Sequence, residues 1–261
     1  MFRSGLFLYI SPRSIARQIR HLAPAIGMVL ALAPNTTTQA QTANTARLPD
    51  WTGIWENVDG FLITAPFVNG KRAPNPPPLN AEYAVKYKAV TDSAKAGKPV
   101  NDPTANCVWP GVPRVIVSPY PSEFLFTPGR VTIIYEYMSQ VRRVRTDGSK
   151  HPDDIEPSYN GDSIGHWEGD TLVVDTVGLR ADTMYEQSGL MHSDALRIVE
   201  RIHLGGPDEL INEMTFYDPK VLTAPWKATW HFKRRRDWTF LDYVCSENNR
   251  NPNIDGVTVA K

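Results

Sequence analysis

Short runs of alternating polar and apolar residues, separated by turn-forming residues, recur along most of this chain and constrain its fold more than any other feature. Twenty-two prolines and seventeen glycines interrupt the 261 residues, so each element must be short. Alternation with a period of two is typical of a half-buried β-strand. The runs lie at residues 51–57, 123–127, 130–137, 140–146, 163–167, 171–176, 195–204, 209–217, 225–235 and 238–243.

Tight turns connect successive runs, which predicts antiparallel neighbours. Pro128–Gly129, residues 168–170 and residues 205–208 each separate two runs in the manner of a β-hairpin. No helical crossover of the kind that joins parallel strands is evident between the runs. We therefore expect an all-β fold with minor α content, in which a meander of nine or ten strands closes into a barrel because closure removes the exposed edges.

One segment near the N-terminus has helical character. Asn80 is a typical N-cap residue, the segment that follows to Ala96 is rich in Ala and Lys, and Gly97–Lys98–Pro99 ends it. A further turn or two of helix is predicted at residues 246–250.

Residues 1–40 have the composition of a signal peptide. Four arginines and no acidic residue accompany an apolar run from Ala23 to Ala33, which is too short to span a bilayer. Thr38–Gln39–Ala40 offers the small residues that signal peptidase recognises, and no lipobox cysteine follows. We expect cleavage after Ala40 and a periplasmic or secreted protein, with an uncleaved membrane anchor as the alternative. Residues 41–261 are then long enough for a single domain.

The charge balance argues against nucleic acid or a membrane surface as partner. The chain has 28 basic and 28 acidic residues, and the predicted leader contains four of the basic ones. The mature protein therefore has 24 basic and 28 acidic residues, a net charge of −4. The basic run at residues 233–236 is explained by a solvated strand end. We expect a small-molecule partner, and a homodimer is compatible with the sequence.

Two cysteines, Cys107 and Cys245, remain after removal of the leader. Two cysteines in an oxidising compartment usually pair, so we predict a disulfide that ties the proline-rich segment to the C-terminal segment. The alternatives are a nucleophilic cysteine beside a histidine and two unpaired thiols.

The first run resembles the first-strand signature of lipocalins and their calycin relatives. The matching residues are Gly53-x-Trp55. In those proteins the tryptophan closes one end of the barrel and a late arginine packs over it. The resemblance implies a lipocalin-like β-barrel in which Arg234, Arg235 or Arg236 is that arginine. An ordinary tryptophan packed in a sheet is the alternative.

Longer phrases resemble a family of exported bacterial proteins of unassigned function. They are PTANC at residues 103–107, SIGHWEGDTLVVD at 163–175, HSDAL at 192–196 and CSENNR at 245–250. This resemblance spans nearly the whole mature chain and implies export. It implies no mechanism.

Histidines and carboxylates are concentrated between residues 160 and 203. Alternation places His166 on one face of its strand, and Asp175 interrupts an apolar face across the following hairpin. A carboxylate beside a histidine fixes the tautomer and raises the basicity of the imidazole, which suits acid–base catalysis. The structural alternative is that Asp175 caps a turn or accepts backbone hydrogen bonds.

A second group of candidates lies at the end of a loop and on the strand after it. His192 and Asp194 precede the strand, where functional residues of a barrel mouth commonly lie. Glu200 falls on an otherwise apolar strand face and needs a buried partner, for which Arg142 or Arg143 is available. Turn or cap roles are the alternative for Ser193 and Asp194.

Aromatic residues on the predicted strands could line a small-molecule pocket inside the barrel. The predicted ligand-binding residues are Trp55, Tyr135, Tyr137, Arg142, Trp167 and Trp230. Barrels of eight to ten strands often leave room for one small ligand. Core packing, the commoner fate of such residues, is the alternative.

Motifs for cofactors and metals are missing from the sequence. It has no glycine-rich phosphate loop and no H-x-H or H-E-x-x-H spacing. We therefore predict neither a cofactor nor a metal, although a metal site could still assemble in space.

These observations predict a cofactor-independent enzyme of the lyase, hydratase or isomerase type, acting on a small hydrophobic molecule of which an aromatic compound is one example. His166 would be the general base, with His192 or Asp194 as acid and Asp175 or Glu200 as orienting group. The alternative is a non-catalytic carrier of a small apolar ligand. A third hypothesis, an envelope-interaction module, predicts a filled barrel and an exposed apolar patch.

Overall fold

Nine strands of the computed structural model close into one barrel, which confirms the predicted fold class. The structure describes residues 48–98 and 100–247, with two short strands beyond them. The strands are β1 (Ile54–Asn57), β2 (Phe67–Val68), β3 (Lys71–Arg72), β4 (Ser122–Thr127), β5 (Arg130–Tyr135), β6 (Val141–Arg145), β7 (Asp162–Glu168), β8 (Thr171–Val177), β9 (Arg197–Gly206), β10 (Glu209–Tyr217), β11 (Trp226–Arg235), β12 (Asn253–Ile254) and β13 (Val257–Thr258).

The barrel order is β1-β11-β10-β9-β8-β7-β6-β5-β4, and β4 pairs with β1 to close it. The predicted hairpins at Pro128–Gly129 and at residues 168–170 join β4 to β5 and β7 to β8. The strand pairs β2–β3 and β12–β13 form separate two-stranded sheets. The signal peptide predicted at residues 1–40 lies outside the described residues, as does most of the helical turn predicted at 246–250.

One pair of barrel neighbours departs from the predicted meander. Strands β6 and β7 are parallel, with Val144 opposite Ser163. Residues 146–161 form the crossing loop between them, and Asp162 at the start of β7 accepts hydrogen bonds from Arg145 at 2.5 and 3.0 Å. His151, from the crossing loop, lies 2.5 Å from the same carboxylate. These contacts hold the crossing loop against both strands.

The prediction of a strand at residues 238–243 is wrong, because that segment has no regular secondary structure. The edge of β11 is taken instead by β1, with Ile54 opposite Arg235. Cys107 and Cys245 form the predicted disulfide, with their Cα atoms 5.6 Å apart. The segment after β11 therefore runs outside the barrel, where Tyr243 packs edge-on against Tyr137.

The helix α1 (Ala81–Lys95) forms where it was predicted. The side chain of Asn80 accepts a hydrogen bond from the backbone N–H of Tyr83 at 3.0 Å, which caps the first turn. The helix has no buried residue and contacts the core through Tyr83 and Tyr87. Among the described residues, no helix is long and apolar enough to cross a membrane.

The barrel interior is packed with side chains. Trp55 and Trp230 are fully buried in its hydrophobic core. A cavity lined in part by Tyr135, Glu200 and Asn212 encloses about 10 Å³. That volume suits about one water molecule, whereas small-molecule pockets measure roughly 300 Å³ or more. The ligand pocket expected within the barrel is therefore not found at this cavity.

Candidate functional site

Three of the five predicted catalytic residues lie on the outer surface, each beside a different charged side chain. The His166 Nε2 atom lies 3.2 Å from Glu168, and 65% of the His166 side chain is exposed. Asp175 accepts two hydrogen bonds from Arg197, at 2.8 and 2.7 Å. The Asp194 carboxylate lies 2.6 Å from the Lys220 Nζ atom, and both side chains are exposed. The structure does not bring these three side chains together.

Glu200, the fourth candidate, is completely buried inside the barrel with Arg142. The Arg142 guanidinium donates to Glu200 and to Thr176, the latter at 2.7 Å, while the Asn212 amide donates to Glu200 at 2.9 Å. Burial raises the pKa of the neighbouring Tyr135 to about 12. Arg142 is one of the two partners considered from the sequence, and the pair forms a polar layer in the packed interior.

The predicted aromatic ligand-binding residues are distributed over three places. Trp55 and Trp230 belong to the barrel core, beside Tyr135. Trp167 packs 5.5 Å from the ring of Trp51. Tyr137 stacks on Tyr120 at 4.7 Å, outside the strands of the barrel. Tyr137 is therefore separate from the others, which belong to the packed core or pack against it.

His192, the fifth candidate, lies behind a cleft of about 280 Å³ on the outside of the barrel. Three segments build this cleft: the proline-rich linker, the loop between β8 and β9, and Tyr159 from the loop between β6 and β7. It is lined by Pro103, Thr104, Val108, Trp109, Pro110, Arg114, Tyr159, Asp182, Thr183 and Met184. We call it the Trp109 cleft.

Local sequence explains why the linker forms a wall of the cleft. Pro103 opens a short 3₁₀ helix that ends at Asn106, and the side chain of Asp102 caps it by accepting the backbone N–H of Thr104. Cys107 ends the helix in the left-handed conformation (φ 61°) and is tied to Cys245. Glycine at position 111 is required, because its φ is +74° and a Cβ there would approach Thr183 to 3.1 Å.

Two aromatic rings form one side of the Trp109 cleft. The centroids of Trp109 and Tyr159 are 6.1 Å apart, with 67° between the ring planes. Trp109 is 42% exposed, which is high for so large an apolar side chain. The Arg180 guanidinium lies 4.8 Å from the Tyr159 centroid. The rings thus offer an apolar surface on which a planar molecule can pack.

A buried ion pair forms the back of the cleft. Arg114 donates two hydrogen bonds to Asp102, at 2.7 and 2.6 Å, and a weaker one to Thr104. Burial raises the pKa of Asp102, but the hydrogen bonds and charge of Arg114 outweigh that effect and lower the pKa overall. Both groups are therefore charged at neutral pH, and Arg114 is held rigidly at the cleft wall.

His192 contacts the cleft through Thr183. The His192 side chain is only 2% exposed, and its Nε2 atom lies 2.7 Å from Thr183 Oγ1. Its Nδ1 atom lies 2.9 Å from the carbonyl oxygen of Ser193, so Nδ1 must carry a proton. Burial lowers the pKa of His192, against smaller opposing contributions from Ser193 and Asp218. The imidazole is therefore neutral at pH 7, with Nε2 unprotonated.

An unprotonated Nε2 fixes the direction of the bond from Thr183. The Thr183 hydroxyl has one proton and two acceptors in reach, His192 Nε2 at 2.7 Å and the Arg180 carbonyl oxygen at 2.8 Å. With His192 neutral, Nε2 is satisfied only if Thr183 donates to it, because Nε2 then has no proton of its own. A hydroxyl that lines the cleft is thus hydrogen-bonded to a neutral imidazole.

A further carboxylate holds this pair in place. Asp218 accepts hydrogen bonds from the backbone N–H and the hydroxyl of Ser193, at 2.8 and 2.5 Å. The Tyr185 hydroxyl also donates to Asp218, at 3.2 Å. The Tyr185 ring packs edge-on to His192, with centroids 5.5 Å apart. The orientation of the imidazole is therefore set from both sides.

The sequence pointed to one member of this site, His192, and missed Arg114, Tyr159 and Thr183. One other feature of the sequence could have indicated the site: Trp109 lies in a proline-rich segment that also contains a disulfide cysteine. Among the described residues, no group of three or more His, Cys, Asp or Glu side chains could hold a metal ion.

No protein-family model and no curated protein matches this chain.

Proposed function

We propose that the protein is a cofactor-independent enzyme of the lyase, hydratase or isomerase type, which acts on a small, hydrophobic, planar molecule bound in the Trp109 cleft. The observation that carries this proposal is the hydrogen bond from Thr183, at the cleft wall, to the neutral imidazole of His192. The proposal replaces His166 by His192 as the base, since His166 lies among solvated surface groups.

The neutral imidazole supplies the base. A proton leaving the substrate can pass to the Thr183 oxygen as the Thr183 proton moves to His192 Nε2, which gives a relay of one hydroxyl. The Nδ1–H bond to the Ser193 carbonyl stabilises the imidazolium that forms. Arg114 would stabilise negative charge that develops on a substrate oxygen.

The size and walls of the cleft support a small ring as substrate. A volume of about 280 Å³ is near the lower end of the range for ligand pockets. Trp109 and Tyr159 offer apolar ring faces, and Arg114 with Asp182 supplies the polar groups. Such a mixture favours a neutral aromatic or conjugated compound with one carbonyl or hydroxyl group.

The carrier hypothesis is supported by the same aromatic walls and does not need His192. The two functions differ in their dependence on pH, because catalysis through an imidazole titrates whereas affinity for a neutral ligand does not. The packed barrel interior suits the third hypothesis, an envelope-interaction module, which predicts no ligand in the cleft.

We also propose that the protein is exported. The disulfide between Cys107 and Cys245 supports an oxidising compartment, where such bonds persist. Export by the leader predicted at residues 1–40 would deliver the chain to the periplasm or the medium.

A screen of small planar fragments tests the proposed site. Binding is followed in the indole N–H signals of the full chain, and positive fragments are repeated on Trp109→Ala and Trp238→Ala. The two tryptophans are 42% and 41% exposed, so Trp238 is a matched control. We expect Trp109→Ala alone to weaken binding about tenfold, the loss of one aromatic contact. Equal affinity in both variants would place the ligand elsewhere and overturn the proposal.

A further inference from the structure

We propose that Thr183 is a nucleophile, and that the Trp109 cleft cleaves small planar esters through an acyl-threonine intermediate. This inference rests on the proposed binding of planar molecules in that cleft, and it adds a covalent step to the chemistry of His192. It is carried by the connected series of contacts that begins at the Thr183 hydroxyl and ends at Asp218.

The geometry is that of a nucleophile and its base. An activated hydroxyl requires a base within hydrogen-bond reach and a third group that orients the base. Thr183 Oγ1 is 2.7 Å from His192 Nε2, and the Ser193 carbonyl orients the ring through Nδ1 at 2.9 Å. Ser193 is in turn fixed by two hydrogen bonds to Asp218.

Hydrogen-bond counting makes the hydroxyl a donor to the base. In a purely structural role, the Thr183 hydroxyl would donate its hydrogen bond to the Arg180 carbonyl oxygen, which is 2.8 Å away. That alternative leaves the Nε2 acceptor of a neutral, buried His192 without a hydrogen bond, an arrangement that is rare in folded proteins. If the Thr183 hydroxyl donates to His192 instead, the Arg180 carbonyl oxygen still accepts a hydrogen bond from the backbone N–H of Thr183, at 3.3 Å.

The reaction balances without any group beyond ester and water. Thr183 Oγ1 bonds to the acyl carbon as its proton passes to His192 Nε2, and the carbon–oxygen bond to the alcohol or phenol breaks. The departing oxygen takes the proton from Nε2. Water then gives a proton to Nε2 while its oxygen attacks the acyl carbon, which releases the acid and returns the proton to Thr183. Arg114, held by Asp102, is the cation available to the oxyanion.

The sequence could not indicate this pair by a motif. The G-x-S-x-G elbow places a nucleophile on a strand-to-helix turn. Thr183 and His192 instead lie nine positions apart in one loop. Their contact depends on how that loop folds against the barrel.

4-Nitrophenyl acetate, a small planar ester, tests the inference on the full chain. We expect a burst of 4-nitrophenolate equal to the protein concentration and an acetyl group on the peptide that contains Thr183. Thr183→Ser should keep the burst. The nearly isosteric Thr183→Val, and His192→Gln, should lower the acetylation rate by about a hundredfold or more. Thr229→Val, on the exposed face of β11, is the control and should react as the parent chain does.

Acetylation that is equal in Thr183→Val, or that maps to other residues, would overturn the inference. Thr183→Val also decides the question if His192→Gln fails to fold. The uncleaved analogue 4-nitroacetanilide separates this failure from failure of the proposed site. If the analogue binds in a way that depends on Trp109 but the ester gives no burst, only the nucleophilic role of Thr183 is refuted. If the analogue does not bind and the ester gives no burst, the proposed binding site is refuted as well.

Discussion

The guanidinium carbon of Arg234 lies 4.6 Å from the centre of the Trp55 ring, and both residues are buried. Arg234 also donates to the backbone carbonyl oxygens of Thr52 and Asp50, both at 2.7 Å. Gly53 lies beside the Arg234 side chain, and its φ of +105° is one that residues with a Cβ rarely adopt. Of the three arginines considered from the sequence, Arg234 is the one that covers Trp55.

Arg234→Lys should destabilise the fold by about 1–3 kcal/mol. Lysine keeps the charge but cannot donate to two carbonyl oxygens and stack on the ring at once. Urea unfolding monitored by circular dichroism measures the change. Arg236→Lys is the control, because Arg236 pairs with Asp208 on the exposed surface and should change stability by no more than about 0.5 kcal/mol. Equal effects of the two substitutions would contradict the structural role of Arg234.

Breaking the buried pair of Arg142 and Glu200 should cost about 3–5 kcal/mol, because the remaining charge is left uncompensated inside the barrel. Urea unfolding of Arg142→Met and Glu200→Leu should each show this loss. The double variant should lose much less than the sum, since it removes both charges. Asp175→Asn breaks an exposed pair and should cost less than about 1 kcal/mol. Additive losses in the double variant would show that the pair is not coupled.

Removal of the disulfide should destabilise the fold by about 4–5 kcal/mol in the chain-entropy model, because the bridge joins residues 138 positions apart. The variant Cys107→Ser/Cys245→Ser is compared with the parent chain by urea unfolding. Fragment affinity should fall as well, since Cys107 lies in the segment that forms the cleft wall. A stability that does not respond to the double substitution would contradict the predicted contribution of the bridge.

His192 should make the fold less stable as the pH falls below about 6.5. Burial lowers the pKa of His192 in the folded state, so the unfolded chain takes up a proton there first. The contribution of His192 to the free energy of unfolding is complete above the pKa that His192 has in the unfolded chain. It declines as the pH falls toward the lower pKa that His192 has in the folded protein. Unfolding free energies between pH 7.5 and pH 5 (roughly the titration range of imidazole) should therefore vary less in His192→Gln. An unchanged pH dependence in the variant would contradict a lowered pKa.

The barrel was predictable because its hairpins are local. Pro128–Gly129 joins two alternating runs within a few residues, and pairing follows from the turn. The parallel contact of β6 with β7 depends on the loop at residues 146–161, which is held by the contacts of Arg145 and His151 with Asp162. Likewise, residues 238–243 alternate like a strand but lose their place to β1, which competes for the same edge of β11.

The site was less predictable, because alternation separates two faces of a strand without saying which one is inside. His166 and Asp175 turned out to face solvent, whereas Glu200 faces the interior with Arg142. His192 was predicted as a loop residue just before a strand. Its partner Thr183 carries no signal in the sequence, since a threonine hydroxyl gains significance only from what it contacts.

The protonation of His192 tests the central claim of this account most directly. Long-range ¹H–¹⁵N spectra of the histidine-labelled chain distinguish the imidazolium and both neutral tautomers, and His192→Gln assigns the signal. We predict a neutral ring at pH 7 with the proton on Nδ1, and a shift of the Nε2 signal when Thr183→Val removes the donated hydrogen bond. An imidazolium, or a proton on Nε2, would contradict the account, because His192 could then not accept a proton from Thr183.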